Sequence, residues 1–376
     1  MNLDLGLSEQ QGLFQEALRR YFEQNLPLDR LRACIESGPA VDQALWRGLV
    51  DLGVCGILVP EEHGGSGLTL LDAALASESL GAFAVPLPFA GAAVMASRAL
   101  LGSGSPDLQR EWLPRVVDGQ ARFSVAFPAS ISGQTGGGSV HIDSGHLNGR
   151  IDAVLDGSAA THLIVYLPDG HAALVDTKAA GVSIESYRSV DRTRRNANVT
   201  FEGAPMQMLD AAVEPIKAMR QVLYVGRLML AADTLGAAQT MMNRAVAYAK
   251  ERVQFNRPIG SFQGVKYMCA DMVTQLEPCR AFAWQAAQAL DSEDTLESRV
   301  AALQAKAHIS DVGREVSRMA IEVHGGMGFT DLLGLHYWFK RISLNRQLLG
   351  SAEQCRQEAA WVQGWTPHPA SVAPPG

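Results

Sequence analysis

Cysteine is scarce and scattered in this chain. Its 376 residues carry five (Cys34, Cys55, Cys269, Cys279 and Cys355), and no two stand at C-x-x-C spacing. A disulfide framework or structural zinc site is therefore not expected, and no metal site is predicted. Long runs of lysine and arginine are also missing, and the formal net charge is −7 with a pI of about 5.7. That balance argues against nucleic acid as a partner. No apolar run reaches the length of a membrane span, which argues against a membrane partner. The opening MNLDLGLSEQQ is polar and acidic, without a signal-peptide core. The expected compartment is the cytoplasm.

What is present is a globular composition, 47% apolar and 19% charged, with enough chain for two or three domains. Residues 1–120 read as helical. Ser8 with Gln11 forms a capping-box variant before the helix of Leu7 to Tyr21, a second helix starts near Val41, and a third spans about Thr69 to Leu80. From 121 to 208 the segments become short and alternating, at Ser124–Phe127, Val140–Ile142, His162–Tyr166, Ala172–Asp176, Val182–Ser186 and Ala197–Phe201, with a hairpin turn expected at Asn148-Gly149. Residues 209–365 return to long helices, and 366–376, TPHPASVAPPG, form a Pro-rich tail expected to be disordered. The fold class is α+β: an N-terminal α-helical domain, a middle β-barrel domain and a C-terminal four-helix bundle.

The most informative stretch runs from Gln221 to Met272. About thirty residues carry apolar positions at three- and four-residue steps, and Pro258 and Gly260 then turn the chain into a second helix expected over Ser261 to Arg280. Arg252, Gln254, Phe255 and Gln263 cluster at that junction. One cation, two amides and one ring suit a flat, phosphate-bearing ligand. The same set also suits an ordinary helical hairpin with a solvated arginine.

The order of these residues closely resembles the acyl-CoA dehydrogenase signature R-x-x-F-G-x-x-I-x-x-x-Q followed by A-D-M. "ERVQFNRPIGSFQGVKYMCADM" matches it with Asn256 in place of the usual glycine. A second resemblance lies in "EVHGGMGFTDLLGLHYWFKR", and a third in Gly56, Pro60, Glu61, Glu62, Gly64, Gly65 and Gly67. The resemblance implies an FAD cofactor contacted across a subunit interface by Arg252, Gln254, Phe255 and Gln263, and near its adenosine end by Glu322, Gly325, Gly326 and Ser351. It implies an acyl-CoA substrate contacted by Arg227, electron-transfer flavoprotein or a similar acceptor, and a homo- or hetero-oligomer. The second stretch leans toward the branch acting on steroid side chains and other ring-bearing acyl groups, which often works as two unlike subunits.

The chain departs from the family in two places. Where most members have T-E-P-x-x-G-S-D it has "FPASISGQTGGGSV", with Ser130, Ser132 and Thr135 as available hydroxyls, and "IDAVLDGS" replaces the Trp-Ile-Thr strand. The second departure concerns the base that takes the α proton, a role suited to a carboxylate of raised pKa. The family places it before the Gly of E-G-T or on the long helix. Here those positions are Leu349 and Gly226. Asp233, two turns beyond Gly226 on the same helix face, is the remaining acidic candidate. Glu353 is the next. An ordinary helix carboxylate paired with an arginine also fits Asp233. Three readings follow: an FAD-dependent acyl-CoA dehydrogenase, a catalytically deficient partner subunit of a heteromeric one, or a flavin oxidase or monooxygenase on the same fold.

Overall fold

The computed structural model describes residues 6–367 apart from 37, 133–137, 188, 210 and 293. Six helices come first: α1 (Glu9–Asn25), α2 (Leu28–Glu36), α3 (Gln43–Asp51), α4 (Leu70–Ala82), α5 (Ala96–Ser103) and α6 (Pro106–Val117). The caps follow the sequence. Ser8 and Gln11 make the reciprocal capping box of α1, Asp42 caps α3, and Thr69 boxes with Asp72 at α4. A six-residue π-helical segment, Ala90–Met95, precedes α5 and is wholly buried.

The strands are β1 (Phe123–Ala126), then, after the short α7 (Ala129–Ser132), β2 (Val140–Asp143), β3 (His146–Val154), β4 (His162–Tyr166), β5 (Ala172–Asp176), β6 (Val182–Ser186), β7 (Ala197–Ala204) and β8 (Gln207–Leu209). They form two four-stranded sheets, β1-β4-β5-β8 and β2-β3-β7-β6, rather than one continuous ladder. Ala126, Leu163, Val165 and Val175 of the first sheet share a core with Leu147, Ile151, Val199 and Phe201 of the second. The period-2 alternation put these residues on inner faces, but alternation does not say how many sheets share them.

The expected turn at Asn148-Gly149 is corrected. The hairpin turns at Ser144-Gly145, both at positive φ, and Asn148 and Gly149 lie inside β3. Glycine is needed at 149 for a different reason: a Cβ there would meet the Ser139 carbonyl oxygen at 2.2 Å.

The remaining helices are α8 (Pro215–Glu251), α9 (Gln263–Ser292), α10 (Leu296–His324), α11 (Leu335–Gln347) and α12 (Ala352–Val362), with a two-residue hairpin, β9 (Val253–Gln254) and β10 (Arg257–Pro258), between the first two. α8 therefore ends at Glu251, before Pro258, and the hairpin rather than the proline reverses the chain. The centre of α8, from Val222 to Ala238, is buried on every face. It packs on α4, α9, α10 and α11, and so forms the axis of the molecule. No helix among the described residues is long and apolar enough to cross a membrane, and no group of His, Cys, Asp or Glu among them could hold a metal ion.

Candidate functional site

Two positions far apart in sequence meet at the middle of α8. A Cβ on Gly226 would lie 2.7 Å from Leu349 Cδ1 and 2.8 Å from Met95 Sδ. Glycine is thus required for the approach of the Leu349 turn and of the π-helical segment to α8. The point where they meet offers only apolar atoms. Leu349 has φ +58° and Gly350 φ +102°, a left-handed turn that leads into α12. Arg227 holds this turn: its Nε donates to the Leu349 carbonyl at 2.7 Å, and its Nη1 donates to Glu358 at 2.7 Å. Tyr224 donates to the other Glu358 oxygen at 3.0 Å. The assignment of Arg227 to substrate binding is corrected accordingly. The guanidinium is buried and directed at protein groups, so it shapes the turn.

Asp233 is not placed to act as a base. It is buried, and Arg341 Nε and Nη2 donate to its two oxygens at 2.8 and 2.6 Å. Asn345 donates at 2.6 Å, and Arg194 Nη2 lies 3.2 Å away. Burial alone would raise its pKa, but the Arg341 and Arg194 charges outweigh burial and hold it below the ordinary value. A general base near neutrality needs the opposite shift and a free lone pair toward substrate. Arg341 continues to the Val85 carbonyl at 3.0 Å and Thr193 Oγ1 at 2.9 Å. One carboxylate therefore ties α8, α11, the β6–β7 connection and, through Arg341, the segment after α4. Glu353 is excluded for a different reason: it is exposed and bonded to Arg346, which holds its pKa down to about 2.

The residues expected near FAD lie on an exposed rim. Phe255 and Asn256 form the tip of the β9–β10 hairpin at φ +52° and +61°, and Phe255 is 88% exposed. Asn256 takes the place of glycine there because asparagine tolerates the left-handed region. Arg252 is exposed at the end of α8, and its guanidinium has no partner among the described residues. Gln254 is exposed beside it, and Gln263 donates to Tyr267 at 2.5 Å. At the end of α10, a Cβ on Gly325 or Gly326 would meet nothing within 4 Å. Glu322 is exposed one turn earlier, 4.0 Å from Arg318. Ser351 instead caps α12, accepting from Gln354 N at 3.3 Å.

These open backbones, the unpaired cation and the exposed ring fit the phosphate and adenosine portions of FAD. The opposite end of the site does not fit as well. Ala126, Phe127 and Leu155, in the two segments that depart from the family's flavin-contacting stretches, are buried and apolar, and Phe127 stacks on Tyr166 with centroids 5.1 Å apart. Ser130 is exposed on α7, whereas the Ser132 side chain and Thr135 lie outside the described residues. Arg252 follows Gly226 by 26 positions of α8, roughly 39 Å of helix rise. The rim and the Leu349 turn of one chain therefore face different places.

One cleft went unseen in the sequence. It holds about 430 Å³ where α8 begins, lined by His171, Glu214, Lys217, Arg220 and Arg299 among others. Arg299 pairs with Asp294 at 2.7 Å, Lys217 lies 3.4 Å from Glu214, and Arg220 stacks over Trp361 at 5.5 Å. Arg220 has no carboxylate partner among the described residues. These basic side chains come from the β4–β5 connection, α8 and α10. Only the K-x-x-R of Lys217 and Arg220 was a local signal.

Comparison with known proteins agrees with this architecture. The family described as "Acyl-CoA dehydrogenase, N-terminal domain" matches residues 8–120, and "Acyl-CoA dehydrogenase, C-terminal domain" matches residues 216–361. Acyl-CoA dehydrogenase IpdE2 of Mycolicibacterium smegmatis is 31% identical over 358 residues, spanning 95% of this chain and 100% of that protein. Among solved structures, a variant of the Tcur3481-Tcur3483 steroid ACAD is 31% identical, with a TM-score of 0.85 over 95% of this chain and 98% of that one. The ChsE4-ChsE5 complex of Mycobacterium tuberculosis shares the fold at 24% identity and a TM-score of 0.87, over 97% of this chain and 100% of that one.

Proposed function

The chain belongs to the acyl-CoA dehydrogenase family, FAD-dependent oxidoreductases acting on the CH–CH bond of acyl-CoA thioesters, and we propose that it serves such an enzyme as one of two unlike subunits. A related chain supplies the base. One observation carries this reading: both base positions are apolar and touch each other, with Leu349 and Met95 packed over Gly226. Asp233 and Glu353 are bound to arginines. Leucine and glycine cannot take a proton from the α carbon.

FAD, when bound, accepts the β hydride. This chain's own residues hold the cofactor's outer part and the substrate's CoA. Arg252 would donate to a phosphate oxygen, Phe255 would lie against a ring, and the bare Gly325-Gly326 backbone would let the cofactor approach. Because Arg252 lies so far along α8 from the Leu349 turn, this contact serves a flavin seated in the neighbouring subunit. The Phe127–Tyr166 stack and the buried apolar Ala126 and Leu155 beside it support a flavin seat in the partner rather than here. The cleft of His171, Lys217, Arg220 and Arg299 takes the phosphates of CoA.

The acyl group is bulky and ring-bearing, on the ground of the 31% identity to a protein described as a steroid ACAD. Electron-transfer flavoprotein is the acceptor. The test is to purify the chain alone and with a related chain that carries the E-G-T or helix glutamate. Flavin absorbance and turnover on a ring-bearing acyl-CoA are then measured for each. The proposal expects both only in the mixed assembly. Turnover by this chain alone would refute it.

A further inference from the structure

A second cleft, separate from the acyl-CoA cleft and sharing no residue with it, opens between the end of α2 and the β6–β7 connection. It holds about 610 Å³ and is more polar than its counterpart, lined by Ser158, Ser186, Ser189, Arg192 and Arg195, with Tyr187 half exposed at the rim. Three buried polar atoms on its wall have no hydrogen-bond partner among the described residues: Arg194 Nε, Arg195 Nε and Asp191 Oδ2. Arg194 is only 5% exposed and Asp191 1%. Buried polar atoms without partners are rare because they forfeit water and gain nothing in return. Two such donors and one such acceptor in one cleft point to a missing ligand.

The charges around the cleft do not balance. Arg192 Nη2 donates to the Ile35 carbonyl at 3.1 Å and Arg195 Nη2 to the Cys34 carbonyl at 2.9 Å, and neither has a carboxylate partner among the described residues. Arg194 lies 3.4 Å from Asp156 and 3.2 Å from Asp233, but Asp233 is shared with Arg341. Arg194 and Arg341 are thus matched by Asp156 and Asp233, while Arg192 and Arg195 stand without a carboxylate among the described residues. Burial pushes the Asp191 carboxyl above its ordinary range, against the pull of Arg341.

We propose that this cleft binds a phosphoryl oxyanion carried by a ligand of nucleotide size. The guanidiniums of the exposed Arg192 and the partly exposed Arg195 donate to the oxyanion, and the buried Arg194 adds charge behind them. Arginine suits this work because its planar fork matches phosphate geometry. The hydroxyls of Ser186 and Ser189 complete the shell, and Tyr187 offers a ring face to a base. Bound there, the ligand fastens the end of α2 to the β6–β7 connection and so to the Asp233 network. The inference does not depend on which subunit holds the base.

The test is thermal unfolding of the full chain, in its mixed assembly where that is the form obtained. Pyrophosphate or ADP is titrated against chloride at matched ionic strength. Both probes should raise Tm saturably, ADP at the lower concentration if Tyr187 holds the base, and at equal concentrations if the phosphoryl group alone is read. Ser186→Glu puts a negative charge at an exposed position on the rim. It should leave Tm in chloride unchanged and weaken both probes at least about tenfold, as expected for like charge beside an oxyanion. Arg195→Gln should do the same if it folds. The proposal is overturned if neither probe gives a saturable rise. It is also overturned if the rise survives Ser186→Glu, or is lost instead in Arg252→Ala or Arg220→Ala, which would place the anion at the FAD rim or in the acyl-CoA cleft.

Discussion

Replacing Asp233 with asparagine preserves its shape and removes its charge. Arg341 and Arg194 are then left facing a neutral amide in a site where Asp233 and Arg341 are each less than 5% exposed. Removing one partner of a buried ion pair costs roughly 3–5 kcal/mol, because the surviving cation keeps its desolvation penalty without its counter-charge. At about 2 °C per kcal/mol for large domains, Tm should fall by about 6–10 °C. The loss should also depend on pH. The Asp233 pKa is lowered in the folded state, so the wild type binds fewer protons there than when unfolded. Its extra stability is fully present above the unfolded aspartate value of about 4 and fades as pH drops through the folded value. Wild type and variant should therefore converge in acid and differ most at neutral pH. Urea unfolding at several pH values reads this directly. A variant with unchanged Tm and lost turnover would refute the reasoning and restore Asp233 as a base.

Three further outcomes follow from other parts of the molecule. Arg252→Ala should leave Tm unchanged, since its guanidinium has no protein partner among the described residues. It should weaken FAD retention about 10- to 150-fold, the equivalent of one charge-assisted hydrogen bond of roughly 1.5–3 kcal/mol; flavin absorbance after gel filtration checks it. Gly226→Ala forces a methyl to within 2.9 Å of Leu349 and Met95. Both are flexible side chains, so about 1–3 kcal/mol of destabilisation is expected, at the lower end of that range, as measured by denaturant midpoint. Lys306 is buried and donates to the Asn345 carbonyl, and burial pushes its ammonium down to about 8. Between that value and the unfolded lysine value of about 10.4, the unfolded chain binds the extra proton, so stability should rise with pH over this window. Lys306→Met should remove the rise, read as Tm against pH.

Much of this protein is determined by short-range pattern. The R-x-x-F stretch ending in Ala-Asp-Met and the Gly325 turn lie within single contiguous segments, and local spacing alone identifies them. The caps at Ser8 and Thr69 and the ends of β4, β5 and β6 are also local, because backbone hydrogen bonding and side-chain alternation act over a few residues. The apolar residues at the family's two base positions could also be read by counting, since Leu349 and Gly226 need only be aligned to two motifs.

The role of Asp233 could not be read locally. Its helix face is the same whether it meets substrate or arginine, and its partners lie at positions 194, 341 and 345, brought together only by packing α11 and the β6–β7 connection onto α8. The same holds for the basic cleft, whose basic side chains at 171, 217, 220 and 299 share no sequence neighbourhood beyond one helix turn. The β3 strand shows the limit of turn signals. Asn-Gly marks a turn when nothing else pairs with it, but between β2 and β7 the glycine is required by a neighbouring backbone. Chain-local energies choose elements. Which charges face one another, and which are left without a partner, is decided by long-range burial, because only the folded interior removes water as the alternative partner.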